Sequence, residues 1–176
     1  PRIDLADRRR FLGIIVRETE RLTRLVNQVL DMAKIESGHA EWDNEEVSLV
    51  EVIEQAAAST SQLFKDKGVT LEMSLPGKAP SLLADRDRLV QVMLNLLSNA
   101  VKFVVRGKGR VLVTLSEADG GLRVDVRDNG PGLTPTEQQI VFEKFRQGGN
   151  TMTDKPQGTG LGLPISRQIV EHYGGR

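Results

Sequence analysis

Leu89-Val90-Gln91-Val92-Met93-Leu94-Asn95-Leu96-Leu97-Ser98-Asn99-Ala100-Val101-Lys102-Phe103 has the periodicity of a helix, with Met93, Leu96, Leu97 and Ala100 on one apolar stripe. Asn95, Asn99 and Lys102 fall at i, i+4 and i+7, so they line one shared edge. Asparagine is a poor helix former because its side chain competes for backbone hydrogen bonds. A solvated face would tolerate such a row. The row also has chemistry to offer: an amide oxygen can bind Mg²⁺, and a lysine ammonium holds phosphate as a point charge.

Toward the N-terminus, residues 7–37 read as one long helix. Phe11, Ile15, Leu22, Leu25, Val29 and Met32 make a heptad seam interrupted by Glu18, and Leu12, Val16, Val26, Leu30 and Ala33 make a second stripe beside it. Two apolar stripes on one helix suit a four-helix bundle, and Gly38 suits the residue that ends it. Ser48 with Glu51 opens a second helix through about Lys65. Residues 69–75 alternate as a strand, and the short apolar pair Leu82-Leu83 leads into Asp85 and the asparagine-bearing helix.

Toward the C-terminus, residues 110–116 and 122–127 alternate around Asp119-Gly120-Gly121, a hairpin signature. Thr134-Pro135-Thr136-Glu137 combines an N-cap, a proline at the first helical position and a glutamate at the third. Residues 145–157 lack periodicity and read as a mobile loop, and a final helix runs from about Leu161 to His172. A lone helix followed by this order of elements predicts an α+β domain with mostly antiparallel pairing.

Composition bounds the function. The 176 residues carry 24 acidic and 24 basic side chains, a formal net charge of +0, so no global field favours nucleic acid or an anionic membrane. There are no cysteines, which excludes disulfides and thiolate metal sites. No apolar run suits a bilayer span and no secretory signal is visible, so the expected setting is cytoplasmic. The chain begins at Pro1 and stops at Gly174-Gly175-Arg176, and is expected to be a piece of something longer.

Two glycine-bearing segments add to the asparagine helix. Asp128-Asn129-Gly130-Pro131-Gly132 follows a strand directly. Alone it reads as an ordinary turn, but its glycines also permit close backbone approach, and its carboxylate suits an exocyclic amine. Gly158-Thr159-Gly160-Leu161-Gly162-Leu163 opens the last helix, where exposed amides and the helix dipole favour an anion. It has neither the lysine spacing of a P-loop nor the βαβ context of a dinucleotide fingerprint.

Taken together, these segments resemble the ATP-binding domain of sensor histidine kinases, within the superfamily that includes gyrase, MutL and related chaperone ATPases. Residues 95–103 look like that family's N box, 128–132 its first glycine box, Phe142-Glu143-Lys144-Phe145 its phenylalanine box and 158–163 its second glycine box. Residues 10–38 look like the second helix of its dimerisation and phosphotransfer hairpin. The four boxes occur in order, and the resemblance covers nearly the whole chain.

The resemblance implies a two-layer sandwich of a mixed, mostly antiparallel sheet and helices, the Bergerat-type ATP-binding fold, preceded by one long helix. It divides the chain into a partial dimerisation and phosphotransfer bundle at 1–38, a linker at 39–47 and an ATP-binding domain at 48–176 whose C-terminal end is cut short. It implies ATP and Mg²⁺ as ligands. Asn99 would coordinate the metal, Asn95 would support metal or phosphates, and Lys102 would contact phosphate, Asn95 and Lys102 being the catalytic pair. Phe103 would flank the base and Asp128 would accept from the adenine amine. Gly130 and Gly132 would shape the base pocket, and amides at Gly158, Thr159, Gly160, Leu161 and Gly162 would meet the phosphates. Phe142 and Phe145 would anchor the lid. Hydrolysing members carry a glutamate where Asn95 stands, so transfer to a histidine is implied rather than water activation. Of the two histidines, His39 and His172, neither has the acidic residue that follows the family's phosphoacceptor, so the acceptor is expected on a preceding helix N-terminal to Pro1. Expected partners are a response regulator receiver domain and, through the helical bundle, a second copy; no nucleic acid and no membrane contact are expected. An autonomous ATPase and a non-enzymatic dimerisation module are the alternatives.

Overall fold

The computed structural model describes residues 4–146 and 158–176. These divide into two compact units, residues 1–40 and 41–176. The first is helix α1, Leu5–Glu36. It closes as its sequence predicts: Gly38 takes φ 72, and the His39 amide donates back to the Lys34 carbonyl at 2.9 Å. Phe11, Leu12, Ile15, Val16, Leu22 and Val26 are all exposed.

The second unit holds β1 (Asn44–Val47), α2 (Leu49–Lys67), β2 (Thr70–Ser74), β3 (Leu82–Asp85), α3 (Arg86–Phe103), β4 (Arg110–Ala118), β5 (Gly121–Asp128), α4 (Pro135–Ile140) and α5 (Gly162–His172). Strand β4 is central, parallel to β2 and antiparallel to β5. Its Val111, Val113 and Leu115 alternate inward and meet Val52, Ile53 and Ala56 of α2 and Met93, Leu97 and Val101 of α3. Helices on one layer and strands on the other thus share one core. The hairpin turns on Asp119 (φ 54) and Gly120 (φ 77), both left-handed as a two-residue Asp-Gly loop requires. At α4 the Thr134 side chain and the Glu137 carboxylate cap each other reciprocally. At α2 the Ser48 hydroxyl accepts from the Glu51 amide at 3.5 Å.

The strands fall into two sets: β1 and β3 make an antiparallel pair separate from β2, β4 and β5. Residues 44–47, within the expected linker 39–47, form a strand. Only Val47 of β1 is buried, so no alternation marks it in sequence.

The β1–β3 pair is fastened to the start of α3 and the end of α5. The Asp85 carboxylate caps α3 at the Arg88 amide (3.0 Å) and takes the Asp43 amide (3.1 Å). The Asp85 amide donates to the Tyr173 hydroxyl, which donates in turn to Asn44 Oδ1, both at 2.8 Å. Burial, ahead of the neighbouring Asp85 charge, pushes the Tyr173 phenol up. Beside it Trp42 stacks on His172 with centroids 3.7 Å apart and planes 6° from parallel. His172 is therefore part of an aromatic cluster that closes the domain's first and last elements on each other.

Candidate functional site

The polar edge of α3 is the spine of the site, because α3 packs on both β5 and α5. At its middle, Asn95 Nδ2 donates to the Gly162 carbonyl and to Ser166 Oγ, each at 3.2 Å. A Cβ on Gly162 would stand 3.4 Å from the Asn95 amide carbon, in ordinary van der Waals contact with it. The first turn of α5 is thereby fixed to α3. The rest of α5 is held by Leu161, Ile165 and Ile169, none of which is exposed to solvent. Ser166 is buried beside them, a polar side chain within an apolar stripe.

No side chain caps the start of α5, so its leading amides have no intrahelical partner. Leu161 is not among those offered outward: its amide donates to Thr159 Oγ1 at 3.3 Å. Gly160 takes φ 71, and the Phe145 amide donates to its carbonyl at 3.0 Å. Phe145 itself holds a left-handed φ of 61, uncommon for a bulky residue. Phe142 and Phe145 are both exposed, the Arg167 guanidinium standing 5.8 Å from the Phe142 ring centroid. Of the loop expected at 145–157, residues 147–157 lie outside the described residues.

At the C-terminal end of α3 the other two segments arrive. Lys102 Nζ lies 3.3 Å from where a Cβ on Gly158 would be, and 4.6 Å from the Phe103 ring centroid. Desolvation by burial pulls the Lys102 ammonium below its ordinary value. From the strand side, Asp128 Oδ1 accepts the Gly130 amide at 2.8 Å, and a Cβ on Gly130 would stand 3.2 Å from the Phe103 carbonyl. Asn129 clamps this turn to the start of β4, accepting from the Arg110 amide at 2.7 Å and donating to the Lys108 carbonyl at 3.0 Å. Gly132 has φ 74 and nothing within 4 Å of its would-be Cβ.

The structure thus brings Asn95, Lys102, Phe103, Gly130, Gly158 and Gly162 to one helix edge, with Asp128 hydrogen-bonded to Gly130, whereas Gly160 packs against Phe145 and Arg146. Asn99 lies on that edge between Asn95 and Lys102, half-buried. Among the described residues no cluster of three or more His, Cys, Asp or Glu side chains is placed to hold a metal. A cation here would rest on amide oxygen and on its ligand's own phosphates, which suits Mg²⁺. A desolvated ammonium beside a glycine likewise suits a polyphosphate. Sequence reading missed Ser166 and Asn129. Both are polar residues whose partners are 71 and 19 or more positions away.

Comparison with known proteins identifies the family. Residues 84–176 match the model of the histidine kinase-, DNA gyrase B- and HSP90-like ATPases, and residues 4–38 match that of the His kinase A (phospho-acceptor) domain. Drug sensory protein A of Synechocystis is 37% identical over 95% of this chain and 26% of its own length. Cell-division control histidine kinase PdhS of Brucella anthropi is 37% identical over 93% of this chain and 16% of its own. The crystal structure of full-length ShkA in complex with AMPPNP superposes with a TM-score of 0.80 and 31% identity, over 99% of this chain and 35% of that one. The chain therefore spans about a quarter or less of the length of these curated relatives. With an ATPase module over 84–176 and a phospho-acceptor-type helix before it, it belongs to the sensor histidine kinase family.

Proposed function

We propose that this chain binds Mg-ATP along the edge of α3 and delivers the γ-phosphoryl group to a histidine on another helix, for relay to an aspartate of a response regulator receiver domain. One observation carries the reading: two glycine-bearing segments far apart in sequence abut three residues of one helix edge. Gly162 lies under Asn95, Gly158 beside Lys102, and Gly130 against Phe103.

In this reading Asp128 accepts from the adenine amine, Phe103 flanks the base and Gly130 and Gly132 leave room for it. Lys102 and the amides of Gly158, Thr159, Gly160 and Gly162 hold the phosphates, the Leu161 amide being taken by Thr159 Oγ1. Asn99 would hold Mg²⁺, with Asn95 supporting metal or phosphates, and the bound metal would supply charge neutralisation. Phosphoryl transfer then needs positioning more than covalent help from the protein. A neutral imidazole nitrogen attacks the γ-phosphorus, the bond to the β-phosphate oxygen breaks, ADP leaves and the imidazole loses its proton. Asn95 cannot take a proton from water, which favours transfer over hydrolysis.

The segment matched as phospho-acceptor type, 4–38, contains no histidine. His172 is stacked on Trp42, and neither it nor His39, just past that segment, is followed by an acidic residue. The acceptor is therefore assigned to a helix outside this sequence, which would pair with the exposed apolar stripes of α1 in a dimeric bundle. Among the described residues no helix is long and apolar enough to cross a membrane. Its ATP requirement fits a cytoplasmic placement.

The test is to supply the chain with its parent protein's preceding helix and follow label from γ-labelled ATP. Acid-labile, base-stable label on a histidine of that helix supports transfer. Steady phosphate release without protein label would instead favour an autonomous ATPase.

Lys102 gives the site a pH signature. Its pKa is depressed in the free chain by burial. Bound phosphates would raise it again, so binding takes up a proton on the alkaline side. Nucleotide affinity is thus expected to be full below the depressed free-state value and to fall as pH rises from there toward the bound-state value. Titrations across the alkaline range should show this fall, and Lys102→Met should abolish it.

A further inference from the structure

Helix α3 ends without a cap of its own. Val104 follows it in extended conformation (φ −77, ψ 157), so no left-handed residue returns amides to the last carbonyls. Those carbonyls are taken by a side chain from elsewhere. Lys67 Nζ, at the end of α2, donates to the Val101 carbonyl at 2.6 Å and to the Lys102 carbonyl at 2.5 Å. An ammonium at a helix C-terminus also meets the negative end of the dipole.

The same residue holds the chain beyond the turn. The Lys67 carbonyl accepts the Gly107 amide at 3.0 Å, and the Arg106 guanidinium donates to the Asp66 carbonyl at 3.2 Å. Gly68, at φ 64, lets the two stretches touch: its Cβ would stand 3.3 Å from Gly107 Cα. Side chain and main chain of Lys67 therefore bracket residues 101–107. Lys102, whose carbonyl it grips, is the residue whose ammonium reaches Gly158. Small rotations at the end of a helix swing a long side chain by much more than they move the backbone.

We propose that Lys67 is a positioning residue for the nucleotide site, acting through Lys102: by fixing the last carbonyls of α3 it sets the direction in which the phosphate-facing ammonium projects. The inference rests on the proposed phosphate role of Lys102 and adds a residue remote from the ligand.

The experiment measures the dissociation constant of a non-hydrolysable ATP analogue with Mg²⁺, for the unaltered chain, Lys67→Met, Lys67→Arg, Lys102→Ala and the Lys67→Met/Lys102→Ala double variant, with thermal unfolding of each. Methionine keeps the stem and removes the donors; arginine restores a forked cation. Lys67→Met should weaken binding about fivefold or more, Lys67→Arg should recover most of it, and in the Lys102→Ala background Lys67→Met should add no further loss. A structural role alone would lower the unfolding temperature while leaving the losses additive. Unchanged affinity in Lys67→Met, or equal losses in both backgrounds, overturns the inference. If the methionine variant does not fold, Lys67→Gln replaces it under the same criteria. Absence of binding by the unaltered chain would instead overturn the reading of the site, and the inference with it.

Discussion

Asp128→Ala should weaken ATP binding by roughly 30-fold or more, the scale of losing a charge-assisted hydrogen bond together with its partner's satisfaction. The carboxylate has two tasks. Oδ1 accepts the Gly130 amide at 2.8 Å, which closes the turn on itself, and the second oxygen is the one proposed to face the adenine amine. Alanine removes both. Asparagine separates them: with its oxygen on the Gly130 amide, its NH₂ faces another donor, and the flipped amide leaves Gly130 without an acceptor. Asp128→Asn should therefore bind ATP almost as poorly while unfolding close to the unaltered chain. The exposed position of Asp128 keeps the stability change small. Calorimetric titration with thermal unfolding checks both variants, and an affinity unchanged in both would remove Asp128 from the site.

Gly160→Ala should be the most damaging of the glycine substitutions in the second glycine segment. Its φ of 71 costs an L-residue about 1–2 kcal/mol. In addition its Cβ would lie 2.8 Å from the Arg146 carbonyl oxygen and 2.8 Å from the Phe145 carbonyl carbon. Both are backbone atoms and cannot swing aside. Relief requires that the 145–146 segment lift off the start of α5, breaking the hydrogen bond from the Phe145 amide to the Gly160 carbonyl. Phosphate binding should fall with it, because the amides proposed to meet the phosphates belong to that turn. Gly132→Ala is the control: φ is similar at 74, but its Cβ would meet nothing within 4 Å. It should cost only the backbone term, about 1–2 kcal/mol, by thermal unfolding. Equal effects at the two positions would show that the Phe145–Gly160 approach has no part in binding.

What the sequence disclosed depended on whether a residue's task was local. The edge of α3 was legible because Asn95, Asn99 and Lys102 interrupt an apolar helix at helical spacing. The β4–β5 hairpin was legible because alternation on both sides flanks Asp119-Gly120, and α4 because its capping box is complete within four residues. β1 was not, since an edge strand burying only Val47 has no alternation to show. Nor was the separation of β1–β3 from the other strands, which is set by packing. The tethers were hidden for the same reason. Lys67 reads as one more basic residue at the end of a helix, the place where the dipole favours it, and its carbonyl partners are 34 and 35 positions away. Ser166 reads as a surface serine until Asn95 is placed above it. Trp42 and His172 are both visible in sequence, but nothing local says that they stack. Glycines were recognised as glycines; which of them face backbone, as Gly160 does, and which face open space, as Gly132 does, required coordinates.

The central claim is that the α3 edge, the 128–132 turn and the 158–162 turn serve one nucleotide. Backbone amide shifts recorded during titration with a non-hydrolysable ATP analogue, with and without Mg²⁺, address it most directly. Saturable shifts in all three segments with a single dissociation constant, tightened by Mg²⁺ in the unaltered chain but not in Asn99→Ala, are the predicted result. Shifts confined to one segment, or three segments titrating with different constants, would contradict it.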